Sequence, residues 1–110
     1  MGEGIDLAWR SRMLDALRSG DVESATDALL SLTYDGPDSD WMQDVLLDCL
    51  RPNVDTQVRA LAVTCFGHVA RLAGKVRLDV VEVLHVLVSD PVLGGRAEDA
   101  LDDVASFVQR

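Results

Sequence analysis

The sequence has few aromatic residues, and this limits how its core can be built. Aromatic residues make up 5% of the 110 residues, while apolar residues make up 48%. Leucine, valine and alanine must therefore fill the core that a mean hydropathy of +0.12 indicates. A chain of this length and composition suits one domain of helices that pack closely through small side chains.

Basic residues are also scarce, since 10 Lys and Arg stand against 19 Asp and Glu and give a formal net charge of −9. A nucleic-acid-binding protein needs the opposite sign to displace counterions from phosphates. Anionic membranes also repel a protein of net negative charge. We therefore expect no direct binding to nucleic acid and none to membranes. A basic protein is the electrostatic match, although an acidic surface can also serve solubility alone.

Residues typical of metal sites and active sites are few. The two cysteines, Cys49 and Cys65, fall on apolar faces of predicted helices and have neither zinc-site spacing nor a disulfide framework. We expect them to be small buried hydrophobic side chains. His68 and His85 accompany no nucleophile motif, and no glycine pair has the context of a phosphate-binding loop. The sequence therefore predicts no enzyme activity, no cofactor and no metal ion.

Long apolar runs are absent as well. No run reaches the roughly 18 residues of a membrane span. The first residues carry neither the basic start nor the apolar segment of a signal peptide. We therefore expect a cytoplasmic protein.

The sequence is rich in apolar residues at helical spacing. Spacings of i, i+3, i+4 and i+7, with Asp21 and Asp55 as N-caps, predict six helices at about 5–18, 21–34, 38–50, 55–74, 78–89 and 95–108. The fifth segment is rich in valine, so a strand is an alternative there. Its Asp79, Glu82 and His85 recur every three residues, however, and so make one polar stripe on a helix.

These helices divide into three antiparallel hairpins within one domain, 1–110. The stretch from Asp55 to Val69 has the Asp, Val-Arg, Ala and Gly spacing of the inner helix of a HEAT repeat. Arg59 and Arg96 lie 37 residues apart, within the spacing of HEAT and armadillo units. Arg59 should bond to a carboxylate or a helix-end carbonyl in or near the next hairpin. We expect an all-α, HEAT- or armadillo-like α-solenoid with a divergent capping hairpin and two repeat hairpins, at 1–34, 38–74 and 78–109.

Acidic residues on the third helix mark a candidate partner-binding surface. Asp40, Asp44 and Asp48 follow i, i+4, i+8, with no Lys or Arg at the pairing positions. Each like-charge pair costs a few tenths of a kcal/mol, and such local conflicts often mark functional surfaces. Trp41 is a candidate anchor, because Trp is enriched at binding hot spots. It can equally pack in the core, as we expect for Trp9.

A second acidic row lies on the sixth helix. Its four carboxylates span about 140° of the helix circumference at 100° per residue: Glu98, Asp99, Asp102 and Asp103. We favour this row slightly over the one on the third helix. For both rows the alternative is a solvated outer face with no binding role.

Two stretches of the chain resemble a known family. They run from Val58 to Leu72 and from Asp90 to Val104, and the second contains the distinctive run Gly-Arg-Ala-Glu-Asp-Ala-Leu-Asp-Asp at 95–103. Over about residues 38–110 the chain resembles small HEAT-like immunity proteins of bacterial polymorphic toxin systems, including those of contact-dependent growth inhibition. The resemblance implies a cytoplasmic protein that binds one cognate toxin domain, often a nuclease, and blocks it. It implies no catalytic residues.

The acidic charge of the chain agrees with the basic partner that the resemblance implies. A nuclease toxin holds phosphates with Lys and Arg, so an acidic helical face could occupy that basic groove as a phosphate mimic. Three hairpins are too few to wrap a partner, so the contact should be one face of ordinary interface size. Two rival hypotheses are a scaffold or adaptor module of a larger assembly and a small enzyme.

Overall fold

Six α-helices make up the part of the chain that the structure describes. The computed structural model describes residues 3–36 and 40–109, with side chains from residue 7 onward. The helices are α1 Glu3–Leu17, α2 Val22–Asp35, α3 Asp40–Asp48, α4 Thr56–Ala73, α5 Leu78–Leu87 and α6 Gly94–Phe107. No strand occurs in these ranges, so the all-α prediction is confirmed and the valine-rich segment is helical. The predicted start of the third helix, at 38–39, lies outside the described residues.

Local chemistry sets the helix ends. Asp21 and Asp55 cap α2 and α4 as predicted, since each carboxylate accepts a hydrogen bond from a backbone N–H of the first turn, at 3.1 and 2.8 Å. Such a cap contributes about 1 kcal/mol. Gly20 follows α1 with φ of 82°, and Gly74 ends α4 with φ of 66°. Glycine adopts this left-handed conformation without the steric cost of a Cβ atom.

The middle helix, α4, makes most of the contacts between hairpins. It packs against α2, α3 and α6, while α1 packs against α2 and α5 against α6. The apolar positions of α4 at i, i+3, i+4 and i+7 spacing start at Val58. Leu61 among them is half-buried, and the others are buried: Val58, Ala62, Cys65, Phe66 and Val69. The apolar face of α4 is therefore the centre of the core.

Arg59 lies at the start of this central helix. Its Nε donates to the carbonyl oxygen of Leu50 at 3.3 Å, just beyond the end of α3. We predicted a carboxylate or a helix-end carbonyl in or near the next hairpin. The acceptor is a carbonyl next to a helix end, but it lies in the same hairpin, so the predicted location is wrong. Arg59 nevertheless acts on the next hairpin through its charge. The pKa of Asp90 is lowered first by hydrogen bonds from the backbone of Leu93 and Val92 and then by Arg59.

The two cysteines are free and buried, as predicted. Burial raises the pKa of the Cys49 thiol to about 11 and also raises the pKa of Cys65. Because the thiolate is the reactive form, both side chains are inert hydrophobic groups at neutral pH.

The junction between α5 and α6 offers a matched test of the packing. A methyl group on Gly94 would collide with the carbonyl oxygen of Val88, whereas nothing lies near a methyl group on Gly95. Gly94→Ala should lower the free energy of unfolding by roughly 1–3 kcal/mol, as overpacking does. Gly95→Ala should leave it unchanged or raise it by up to about 1 kcal/mol through helix propensity. Urea titration of both variants checks this, and equal stabilities would contradict the placement of α6.

Candidate partner-binding surfaces

The carboxylates of α3 are largely occupied by arginines. Arg77 donates to Asp44 at 2.7 Å, and Arg51 pairs with Asp48 at 3.1 Å. The prediction of an unpaired acidic row is therefore wrong for Asp44 and Asp48. The i, i+4 spacing finds only partners on the same helix. Arg77 belongs to the next hairpin, 33 residues after Asp44, and Arg51 lies in the turn after α3. Only Asp40 of this row has an exposed carboxylate without an ion pair in the described ranges.

Arg77 joins the second hairpin to the third. Its guanidinium donates to both oxygens of Asp79, at 2.6 and 3.0 Å, and to the backbone carbonyl of Asp40 at 3.1 Å. Its backbone N–H donates to the side-chain oxygen of the buried Gln43, also at 3.1 Å. A planar guanidinium suits such paired acceptors. Asp44 and the backbone of Asp40 therefore serve first to hold two hairpins together.

Trp41 lies against the first hairpin. Its ring centroid is 6.3 Å from that of Trp9, and the Arg10 guanidinium carbon lies 4.5 Å from the ring centroid. Both Trp side chains are half-buried and pack against the core. These contacts confirm the core interpretation of Trp9 and Trp41. They leave Trp41 only partly available to a partner.

The acidic row on α6 divides into two parts. Glu98, Asp99 and Asp102 are exposed, and in the described part of the chain none of them has an ion pair. Asp103 is half-buried, lies 3.7 Å from the Arg71 Nε and packs against Gly67 of α4. The prediction of four unpaired carboxylates is therefore wrong for Asp103, because it lies on the side of α6 that contacts α4.

One cluster on α2 and α4 was not foreseen as functional. The rings of Tyr34 and His68 are 5.8 Å apart, and Arg71 Nη2 lies 2.6 Å from His68 Nδ1. Since arginine can only donate, Nδ1 accepts, and His68 is the neutral Nε2–H tautomer. Burial and then the charge of Arg71 lower the pKa of His68, which agrees with this state. Leu72 completes the cluster and is 49% exposed.

Comparisons with protein-family models, with curated proteins and with solved structures give no match for this chain. Within the described ranges, no helix has both the length and the apolar character needed to cross a membrane. The same ranges contain no group of three or more His, Cys, Asp or Glu side chains placed to hold a metal ion.

The ion pairs of Arg77 with Asp44 and Asp79 predict a folding stability that depends on pH. Hydrogen bonding to Arg77 holds the pKa of Asp79 below its ordinary value of 3.8. A depressed pKa contributes stability above the unfolded-state value, and this contribution is lost as pH falls through the folded-state value. Arg77→Gln should lower the melting temperature by roughly 5 °C near pH 6.5. The difference from the parent should shrink as the pH approaches about 2.5.

A matched control is Arg12→Gln, because Arg12 is exposed and has no ion pair within the described residues. Circular dichroism melts at both pH values should show little change for this control. A pH-independent difference between parent and Arg77→Gln would mean that Arg77 acts through its backbone contacts and packing alone.

Proposed function

We propose that this protein binds a basic toxin domain, by preference a nuclease, and neutralises it as a bacterial immunity protein. The observation that carries the proposal is the exposed set of α6 carboxylates, Glu98, Asp99 and Asp102, which no described arginine or lysine neutralises. They lie within the stretch that resembles small HEAT-like immunity proteins. The chain acts as a binding protein in this proposal and catalyses no reaction.

The electrostatics of α6 support this role. Like charges at i and i+4, such as Glu98 and Asp102, cost a few tenths of a kcal/mol on an isolated helix. A surface of net negative charge attracts a positive partner over a distance of about one Debye length. It therefore accelerates association and favours partners whose surface is basic. A nuclease domain that binds phosphates has such a surface.

The order of helix contacts supports the finer part of the proposal, a HEAT-like stack. Each hairpin packs on the next through its second helix, since α2 contacts α4 and α4 contacts α6. Terminal repeats of such stacks need a polar outer face. Glu98 and Asp102 could meet that need on α6, so part of the acidic row would exist whether or not a toxin binds.

A scaffold or adaptor role is the second candidate, favoured by one observation on α5. Leu78 and Val86 are 66% and 75% exposed there. Exposed apolar side chains on a terminal hairpin could bind a neighbouring domain of a larger assembly. This contact would depend on apolar area and little on salt, which distinguishes it from an acidic contact with a toxin.

The decisive experiment measures binding of the protein encoded by the adjacent gene, at low and at physiological salt. The variant Glu98→Gln/Asp99→Asn/Asp102→Asn should slow association by about tenfold at low salt and flatten the salt dependence. Its melting temperature should stay equal or rise slightly, because like-charge repulsion is relieved. The matched control, Asp15→Asn/Asp35→Asn/Glu82→Gln, removes three exposed carboxylates elsewhere and should change the rate less than twofold, by roughly the effect of net charge alone.

Unchanged binding by the α6 variant, together with an affinity that ignores salt, would rule out the acidic mechanism. Loss of binding by a Leu78→Ser/Val86→Ser variant alone would favour the scaffold role. Absence of any complex with the neighbouring gene product would count against an immunity function.

A further inference from the structure

The second helices of the three hairpins lie side by side and form one continuous surface. At one end, Tyr34 of α2 contacts His68 of α4, and Gly74 after α4 lies against the backbone carbonyl of Phe107 in α6. At the other end, side chains from α2, α4 and α6 line one depression of about 500 Å³. The three helices therefore run in the same direction across this surface.

Between depressions at its two ends, this surface follows the solvent side of α4; we call it the groove, with α4 as its floor. Ala60, Leu61, Thr64 and His68 lie along the solvent side of α4, and all four are half-buried. The flanking side chains of α2 and α6 are mostly exposed. The floor carries no charged side chain between Arg59 and Arg71, so a partner can bury apolar area there at little desolvation cost.

Carboxylates line the two rims of the groove. On α2, Glu23 and Asp27 share one face with Leu30 and Tyr34, at i, i+4, i+7 and i+11 spacing. On α6, Asp99 lies one turn from Arg96, which donates to Thr64 of the floor at 2.7 Å. In the described ranges the carboxylates of Glu23, Asp27 and Asp99 have no ion pair.

Two arginines lie beside the groove: Arg96 donates to the neutral hydroxyl of Thr64, and Arg71 lies 3.7 Å from Asp103. Arg96 keeps its charge, but the unpaired carboxylates of Glu23, Asp27 and Asp99 outnumber it, so the charge along the groove is net negative.

The far end of the groove is apolar and aromatic. Tyr34 is 55% exposed, Leu72 49% and Phe107 48%. A depression of about 250 Å³ lies between Tyr34, His68, Arg71 and Leu72. Here α2 and α6 end without a basic residue in the last turn, so the partial negative charge of their C-termini is uncompensated.

We infer that this groove binds an amphipathic α-helix of a partner protein, with an apolar stripe on the floor and Lys or Arg against the acidic rims. An apolar floor with charged rims is the usual anatomy of a protein interface, and a helix in a groove is a recurring form of it. From Gln57 to Leu72 the floor measures about 22 Å at 1.5 Å per residue, which fits a partner helix of about 15 residues. The inference does not require that the partner be a toxin, nor that the outer carboxylates Glu98 and Asp102 take part.

The charge pattern also sets the class of ligand. Phosphates of a nucleic acid would be repelled by Glu23, Asp27 and Asp99. A helix without basic residues would leave these carboxylates without partners, while one without an apolar stripe would leave Tyr34 and Leu72 in water. Both features together are needed for tight binding.

The test uses a synthetic 15-residue Lys/Leu peptide with leucines at i, i+3, i+4 and i+7, and a scrambled peptide of identical composition. Fluorescence anisotropy should show at least about tenfold tighter binding of the amphipathic peptide, which corresponds to about 1.4 kcal/mol. In the full-length protein, amide shifts in a ¹⁵N–¹H correlation spectrum should concentrate on Ala60, Thr64 and His68. Equal binding of the two peptides, or no saturable binding up to millimolar concentration, would overturn the inference.

Two groove variants and two matched controls test the chemistry separately. Glu23→Gln/Asp27→Asn/Asp99→Asn removes rim charge, and Tyr34→Ser/Leu72→Ser removes the exposed apolar end. Each variant should bind the amphipathic peptide at least about fivefold more weakly, which corresponds to roughly 1 kcal/mol. The two controls remove carboxylates or apolar side chains at other positions and should weaken binding of the peptide less than twofold: Asp15→Asn/Asp35→Asn/Glu82→Gln and Leu78→Ser/Val86→Ser.

The groove and the outer face of α6 can be distinguished in the same titration. Amide shifts confined to Glu98 and Asp102, with none on the α4 floor, would overturn the groove while leaving the proposed function intact. Shifts on the floor, combined with toxin binding that survives Glu98→Gln/Asp102→Asn, would support the groove and contradict the proposed contact.

Discussion

Helix α4 contacts α2, α3 and α6, and its core-facing side chains, Ala62 and Phe66 among them, are fully buried. Because the sequence offers few aromatic side chains, small residues must carry this contact, and the helices can approach closely. Gly67 is one consequence, since its missing side chain leaves room for Asp103 of α6. The position of α4 thus fixes which side chains of α2 and α6 face the solvent and which face the core.

The carboxylates of the chain separate into those that hold the fold and those that remain free. Asp21 and Asp55 cap helices, and Asp44 and Asp79 hold Arg77. Asp99 has an exposed carboxylate with none of these duties in the described part of the chain. An exposed ion pair contributes little to stability, so charge left unpaired on the surface costs the fold little and is available to a partner.

Local sequence patterns were sufficient to predict the helices but not the pairing of charges. Apolar spacing and the capping residues Asp21 and Asp55 act within one or two turns, so all six helices were predicted. The period of three in Asp79 and Glu82 correctly favoured a helix over a strand for α5. The bond from Arg77 to Asp44 depends on how two hairpins pack, and no i, i+4 rule contains that information.

The groove could not be read from the sequence for a related reason. Its members Thr26, Ala60, Leu61 and Arg96 come from three helices, and the repeat-like patterns that contain three of them do not place them on one surface. They become neighbours only because the second helices of the hairpins lie side by side and line one depression. The aromatic Tyr34, close to Gly36 and Pro37 in the sequence, was a local signal, but an isolated exposed aromatic residue needs no functional explanation.

The acidic surface follows from where the arginines lie. Arg59, Arg71, Arg77 and Arg96 all lie at junctions between helices, where each bonds or pairs with a neighbouring helix or turn. A guanidinium suits such junctions because several donors in one plane can satisfy helix-end carbonyls and carboxylates together. Arg59 and Arg77 are half-buried, while Arg71 and Arg96 stay exposed, so only part of this positive charge is withdrawn from the surface. A basic partner would therefore meet the least competing positive charge at Glu98 and Asp102 on α6, which have no ion pair in the described residues.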